Sequence, residues 1–453
     1  MKKSSTRLMS EGSISKNIIY FALPILLGNL FQQLYNVADS IIVGNYLGSN
    51  ALAAVSSSGN LIYLLVGFFQ GLAVGGGIVV AKFFGSKDQK KVHQAIHAFV
   101  AFGLILSIII SFLGFYFAPQ ILKLMNTPPN VIQDSTTYFQ VYFAGAIGLI
   151  MYNVFVGILQ AVGDSRNPLY FLMVATILNV LLDLLFIGVL GFGVEGAALA
   201  TVIAQLVSAL LCLYKLTHTT EIFKLEITKL SLNPLMIKRI IHSGLPAGMQ
   251  NSIIALANVV VQSHINSFGE FAMAGCGAYS KIEGFAFLPI TSFTMAMTTF
   301  VSQNMGAKKY DRVKKGANFG ILCCIISSQL IGFLIYIFAP YVIAIFDQNP
   351  TVIMYGTQRV QVVVWFFAFM AFTHAMSGVL RGAGKSIIPL IVTVVSWCVL
   401  RVTILTVFMP IFKSIWLVHW VYPITWIVSA IILVIYYYKS NWLPTSNHNT
   451  SEA

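Results

Sequence analysis

GILQAVGDSRNPL at residues 157–169 is answered by GVLRGAGKSIIPL at residues 378–390, an offset of 221. The pairing extends outward in both directions. LeuPro at 23 and 24 returns at 245 and 246, and this offset of 222 also relates Asn29 to Asn251 and Asn36 to Asn258. One residue is then lost. From there Gly48, Ala51, Gly85, Lys87, Val92 and the AlaPro at 118 recur 221 positions later as Gly269, Ala272, Gly306, Lys308, Val313 and the AlaPro at 339. A repeat of this length joins two halves of one architecture.

Composition places both halves in a membrane. Hydrophobic residues make up 57% of the chain and Asp, Glu, Lys and Arg only 9%, against roughly 25% charged in a soluble globular domain. Cys212, Cys276, Cys323, Cys324 and Cys398 sit in apolar runs without CxxC spacing. They read as packing residues, with no disulfide and no metal site. The apolar run from Ile18 to Gly44 is too long for a signal peptide and is expected to stay as the first span.

Runs of roughly 20 residues or more, long enough to cross about 30 Å of hydrocarbon, can be placed at 17–44, 51–84, 92–118, 131–162, 168–190, 194–216, 238–268, 271–305, 313–339, 351–380, 387–411 and 415–438. The spacing predicts an all-α membrane protein of twelve transmembrane helices. An even number of spans separates equivalent positions, so the two six-helix lobes are parallel and related by a pseudo-twofold axis along the membrane normal. In a membrane chain this is the mark of a transporter with its pathway between the halves. The expected division is an N-lobe at 1–216, a cytoplasmic linker and hinge at 217–237, and a C-lobe at 238–453.

Charge sets the orientation. With the N-terminus inside, all but five of the 27 Lys and Arg fall on the cytoplasmic side, from Lys2, Lys3 and Arg7 to Lys439. The five are Lys123, Lys413, Arg359 near a helix end, and Lys281 and Arg401 within spans. This asymmetry predicts both termini in the cytoplasm. The net charge of +13 is then accounted for by topology and anionic membrane lipid, so no nucleic-acid partner is expected.

The informative residues are those that hydrocarbon disfavours. A carboxylate at mid-span costs about 2.5–3.5 kcal/mol on insertion scales, so Asp39 and Asp183 need a reason to be there. Asp39 lies roughly 8 Å below the outer end of span 1, and Asp183 and Thr201 roughly 10 Å into spans 5 and 6, at helical rise. Gln32, Asn36 and Asp39 share one helix face, as do Asn179 with Asp183 and Thr201 with Gln205. Two carboxylates at one depth cannot satisfy each other unless a proton or cation lies between them. Neither has a carboxylate in the repeat, where Val260 or Val261 and Ile404 stand. The ion site is therefore expected in the first half alone. Asn29, Asn251 and Asn258 read as interhelical glue.

The second half carries Lys281, Glu283 and Arg401, all roughly 15 Å from the outer surface. Glu283 is expected to neutralise Arg401, or Lys281 locally, as a buried pair that fixes packing, with a second proton-responsive site as the alternative. His374 reads as a core residue. Candidate substrate contacts are Gln32, Tyr35, Asn36, Tyr138, Asn153 and Met173 in the first lobe, with Met295 and Met297 in the second.

At this point the residues match a family. LPILLGNLFQQLYNVADSIIVGNYLG in the first span, GILQAVGDSRNP, NVLLD at 179–183 with GAALAT at 196–201, and GVLRGAGKSIIP together resemble the multidrug and toxic compound extrusion transporters, in particular their DinF-like branch. The resemblance covers nearly the whole chain. It implies two six-helix lobes forming a V around a central cavity, and export of amphipathic, often cationic drugs against an inward proton or sodium flow, with no cofactor. It places Asp39, Asn179, Asp183 and Thr201 on the family's ion cluster and Pro24 on the proline about which the first helix bends. The chain departs from another branch in span 7, where Ile254 and Ala255 stand in place of a carboxylate. KIEGFAFLP from Lys281 is similar to the family's span-8 pattern.

The expected protein is a monomer in the cell membrane, coupled to protons or to sodium. A lipid or lipid-linked glycan flippase of the same superfamily is the alternative; it would favour a cationic central cavity and extra C-terminal spans. An enzyme is not expected, because no HExxH, paired CxxC or GxSxG appears.

Overall fold

The computed structural model describes residues 8–124, 127, 129 and 131–444, the side chains at 49, 50, 52, 53, 56–61, 63–65 and 124 excepted. Lys2, Lys3 and Arg7 lie outside the described residues. Each of the twelve expected runs is helical. In chain order the elements are α1 (Ile14–Leu47), α2 (Ser49–Gly85), α3 (Gln89–Leu124), α4 (Ile132–Ala144), α5 (Ala146–Ala161), α6 (Arg166–Asp183), α7 (Val194–Thr217), α8 (Pro234–Asn266), α9 (Glu270–Gly306), α10 (Tyr310–Ala344), α11 (Pro350–Val363), α12 (Phe367–Gly382), α13 (Ile387–Thr393), α14 (Arg401–Phe412) and α15 (Ile415–Lys439). Among the described residues eleven helices are long and apolar enough to cross a membrane, and α4 with α5, bent by 48°, makes a twelfth span if the pair crosses as one. Large apolar side chains lie bare on the surface, Phe112, Ile345 and Val189 among them. Water would not tolerate that surface and lipid does. The chain is a multi-pass membrane protein.

The repeat is legible in the backbone as well as in the sequence. Positive φ occurs at Gly48 (86°), Lys87 (59°) and Gly163 (83°), and again 221 positions later at Gly269 (92°), Lys308 (56°) and Gly384 (83°). These are the turns between helices. Asp88 N–H donates back to Phe83 and Lys309 N–H to Asn304, closing the carbonyls that α2 and α9 leave open. The bend at Gly145 between α4 and α5 has its counterpart in a 3₁₀ turn at Val364–Phe366 between α11 and α12.

The chain divides into two units. One contains Leu23–Gly248, and the other contains Met9–Ala22 and the chain from Met249 onward. Both α1 and α8 therefore change unit along their length, close to Pro24 and Pro246 respectively. In the first unit α2 and the start of α8 meet with almost no side chain between them: a Cβ on Gly71 would lie 2.2 Å from Gly248 N, and one on Gly75 2.3 Å from Gly244. Small residues permit such approach where lipid supplies no hydrophobic drive. The linker packs onto this unit's core. Phe223 and Leu225 are buried with Met236 and Ile240 against α3 and α5, and the Glu226 N–H donates to His97 Nε2 at 3.0 Å.

In the second unit the segment before α1 is tied down at Met9. Its N–H donates to Gln303 Oε1 at 2.7 Å, and its carbonyl accepts from Asn304 and Arg312. Equivalent positions also trade volume between the units. The Phe99 ring fills the space above Gly76, while 221 positions on Met297 fills the space above Gly320. Large and small have exchanged helices, so both interfaces stay full.

Candidate functional site

In the first unit three helices bring polar groups to one point. From α1, Tyr35 Oη lies 3.2 Å from Thr201 Oγ1 on α7. From α6, Asn179 ties Asp183 on its own helix to α7: with its amide oriented to satisfy both neighbours, Nδ2 donates to Asp183 Oδ2 at 3.0 Å and Oδ1 accepts from the Thr201 N–H at 3.2 Å. The four-residue step puts Asn179 and Asp183 on one face, while Tyr35 and Asp39 share a face of α1 for the same reason. The carboxyls of Asp39 and Asp183 lie within electrostatic range of each other. Asp39 is 9% exposed and Asp183 is fully buried.

An ionised carboxylate only accepts, so two of them can hydrogen-bond to each other only through a proton that they share. One oxygen on each, Oδ1 of Asp39 and Oδ1 of Asp183, has no partner. The backbone is irregular just beyond: after Asp183 the helix continues as a π turn through Leu184–Val189, with the Leu190 N–H reaching back five residues to the Leu185 carbonyl. Such turns widen a helix locally and recur at functional sites. The second unit has no π turn at the equivalent place among the described residues; its own lies earlier, at Val394–Leu400, directly before Arg401.

A second polar centre lies in the second unit, around a cavity of about 220 Å³ lined by Asn258, Ser280, Glu283, Arg359, Arg401, Trp397 and Tyr422 among others. Arg401 is 1% exposed and Arg359 is 3% exposed. Arg401 donates from Nη1 to Asn258 Oδ1 at 3.3 Å and from Nη2 to Thr425 Oγ1 at 3.0 Å. Its guanidinium carbon lies 4.3 Å from the centre of the Tyr422 ring. Arg359 is held 4.8 Å from the same ring and 4.8 Å from that of Tyr279.

The family model described as MatE matches residues 24–185 and again residues 246–407. The chain belongs to the MatE family. The two matches are offset by 222 residues, the offset at which the two prolines, Pro24 and Pro246, correspond. Among relatives, the probable multidrug resistance protein YoeA of Bacillus subtilis is 27% identical over 445 residues, covering 96% of each chain. The probable multidrug resistance protein YpnP of the same organism is 30% identical over 394 residues, covering 86% of this chain and 88% of that one. A structure described as the outward-facing conformation of a multidrug resistance MATE family transporter of the MOP superfamily superposes with a TM-score of 0.90 at 24% identity, covering 96% of this chain and 98% of that one.

On this MatE fold the expected residues are distributed unevenly. Asp39, Asn179, Asp183 and Thr201 are brought together. Tyr35, read as a substrate contact, hydrogen-bonds within that cluster, and Tyr138 is buried within electrostatic range of both carboxyls. Gln32 and Met173 are half-buried, and Asn36 is exposed. Asn153 turns its amide back to its own helix, on the Leu149 carbonyl at 2.8 Å. Met297 is core, and Pro24 is buried inside α1. His374 packs edge-on against Phe287 and Trp397.

The expected ion pair of Glu283 with Arg401 or Lys281 is not formed. Lys281 is exposed, with its ammonium 5.7 Å from the Phe346 ring. Residues two apart on a helix point to different faces, so Lys281 cannot reach where Glu283 points. Glu283 accepts from Tyr279 Oη at 3.0 Å, and Arg401 takes Asn258 and Thr425 instead. Arg359 is the residue that sequence reading misplaced, near a helix end on the outer side. Its signal was present: Val352, Gly356, Arg359 and Val363 fall at helical spacing, and all four are buried on α11.

Proposed function

We propose that this protein exports amphipathic, often cationic small molecules in exchange for inward protons, by alternating access. The observation that carries the reading is the close pair of buried carboxyls, Asp39 and Asp183, built into the first unit and absent from its repeat. One proton can sit between these carboxyls; a drug cation that approaches the deprotonated pair competes with that proton for the same charge. Multidrug resistance relatives covering nearly the whole chain support drug export over the flippase reading. The protein would work as a monomer in the cell membrane, surrounded by lipid, with both termini in the cytoplasm. Its first-span and NVLLD motifs suit the DinF-like branch.

Pro24 is the proposed hinge of α1. It lacks the amide that would donate to residue 20, and it lies just past the point where α1 passes from one unit to the other. Gln32, Asn36, Asn153 and Met173 are the proposed substrate contacts, with the phenols of Tyr35 and Tyr138 linking them to the carboxyls. Sodium is the rival couple. The two oxygens that would complete its shell beside the carboxylates are engaged with protein partners, Asn179 Oδ1 with the Thr201 amide and Thr201 Oγ1 with Tyr35, which supports the proton. The test is efflux of a fluorescent cationic dye from proteoliposomes under a proton gradient with sodium absent. Transport is expected under those conditions. Transport that runs only on a sodium gradient, with the proton gradient collapsed, would overturn the choice.

A further inference from the structure

The cavity in the second unit has the opposite polarity to the carboxyl pair of the first. Its lining brings two buried cations, Arg359 and Arg401, together with one carboxylate, Glu283. The sum is one uncompensated positive charge. Charge buried without a partner is expensive, several kcal/mol for each ion after relaxation, and a cation–π contact returns only about 0.5–2 kcal/mol.

Hydrogen bonding leaves the same deficit. Arg359 donates to no protein acceptor among the described residues, and its Nε is buried without a partner. Nε of Arg401 is likewise unpartnered, although Nη1 and Nη2 are satisfied. Glu283 is taken by Tyr279. The Arg359 guanidinium, 4.8 Å from each of two tyrosine ring centres, lines the cavity without a protein acceptor, and a guanidinium receives oxygen acceptors in its own plane.

From this geometry we propose that the cavity binds an anionic head group, a carboxylate or a phosphate, carried on an apolar body. One negative charge restores neutrality and supplies the acceptors that Arg359 lacks. The remaining walls, Phe287, Met370, Trp397 and Trp426, suit an aromatic or aliphatic body. The volume is below the roughly 300–1,000 Å³ of drug-sized pockets, so the site takes a head group and a ring rather than a whole large molecule. The site belongs to one unit alone and does not depend on how transport is coupled.

The test is equilibrium binding to the full-length protein in detergent, read by tryptophan fluorescence because Trp397 and Trp426 line the cavity. Benzoate and phenyl phosphate are compared with benzylamine, which carries the same ring with the opposite charge. The anions are expected to bind at least about tenfold more tightly than benzylamine, a difference of about 1.4 kcal/mol. Arg359→Gln should abolish the preference, and Arg359→Lys should weaken binding while keeping it. Equal affinity for benzylamine, or undiminished benzoate binding by a folded Arg359→Gln protein, would overturn the proposal. If Arg359→Gln does not fold, the wild type decides: benzoate should raise its melting temperature above that in benzylamine at equal ionic strength, and equal shifts count against the site. Repeating the titration in nanodiscs separates two sources of the anion. Loss of benzoate binding on adding phosphatidylglycerol to phosphatidylcholine assigns the site to a lipid phosphate, and retention assigns it to a soluble anion; both uphold the proposal.

Discussion

Replacing either Asp39 or Asp183 by Asn is expected to remove nearly all of the coupling between proton and drug, and replacing both should add little. The reasoning is electrostatic. Carboxyls near enough to share a proton place their charges about 4 Å apart when both ionise, and two such charges repel by about 4 kcal/mol at an effective dielectric constant of about 20. That energy corresponds to a factor of about 10³ in an equilibrium constant. It is the largest free energy the pair can exchange between a proton and a drug cation, and it exists only while both sites carry carboxylates. An amide at either position removes the whole of it. The single variants should therefore lose proton-driven dye efflux by two to three orders of magnitude, on the order of the Coulomb term, while reaching the membrane in wild-type amounts. A double-mutant cycle on efflux rate in proteoliposomes reads the coupling directly. Losses that simply add would show that the carboxyls act separately. Wild-type transport by the double variant would refute the assignment altogether.

Two further outcomes test the packing that holds the sites. Gly71→Ala places a methyl 2.2 Å from Gly248 N, where backbone and not a mobile side chain must yield, so overpacking should cost about 1–3 kcal/mol or more; the check is the yield of monodisperse protein and its melting temperature, and wild-type values for both would contradict the contact. Thr425→Val removes an acceptor from the buried Arg401 guanidinium and should destabilise the second unit by about 1–3 kcal/mol, seen as a lower melting temperature, whereas an unchanged value would mean that Arg401 finds another partner.

Much of this protein can be read without coordinates because the bilayer imposes one-dimensional rules. Helical rise and hydrocarbon thickness turn apolar run length into span number, and the recurrence of GILQAVGDSRNPL as GVLRGAGKSIIPL makes the two halves equivalent. The register also pairs Lys87 with Lys308, and the structure gives both the same left-handed turn. Asp39 and Asp183 stand out by the same logic, since a carboxylate in hydrocarbon must have a partner. What the tertiary structure decided is which faces meet. Sequence spacing says that Glu283 and Arg401 share a depth, but whether they touch depends on helix rotation, and Arg401 is turned instead toward Asn258 and Thr425. The linker at 217–237 carries mixed charge, yet Phe223 and Leu225 are buried in the first unit's core and Glu226 is tied to His97. Arg359 is the clearest case. Its position on α11 is a matter of periodicity, but its lack of an acceptor is a property of everything around it, set by side chains from Tyr279 and Tyr422 that are 80 residues before it and 63 after it in the chain. Contacts between residues so far apart are fixed by rotation and packing of whole helices, which no local pattern encodes.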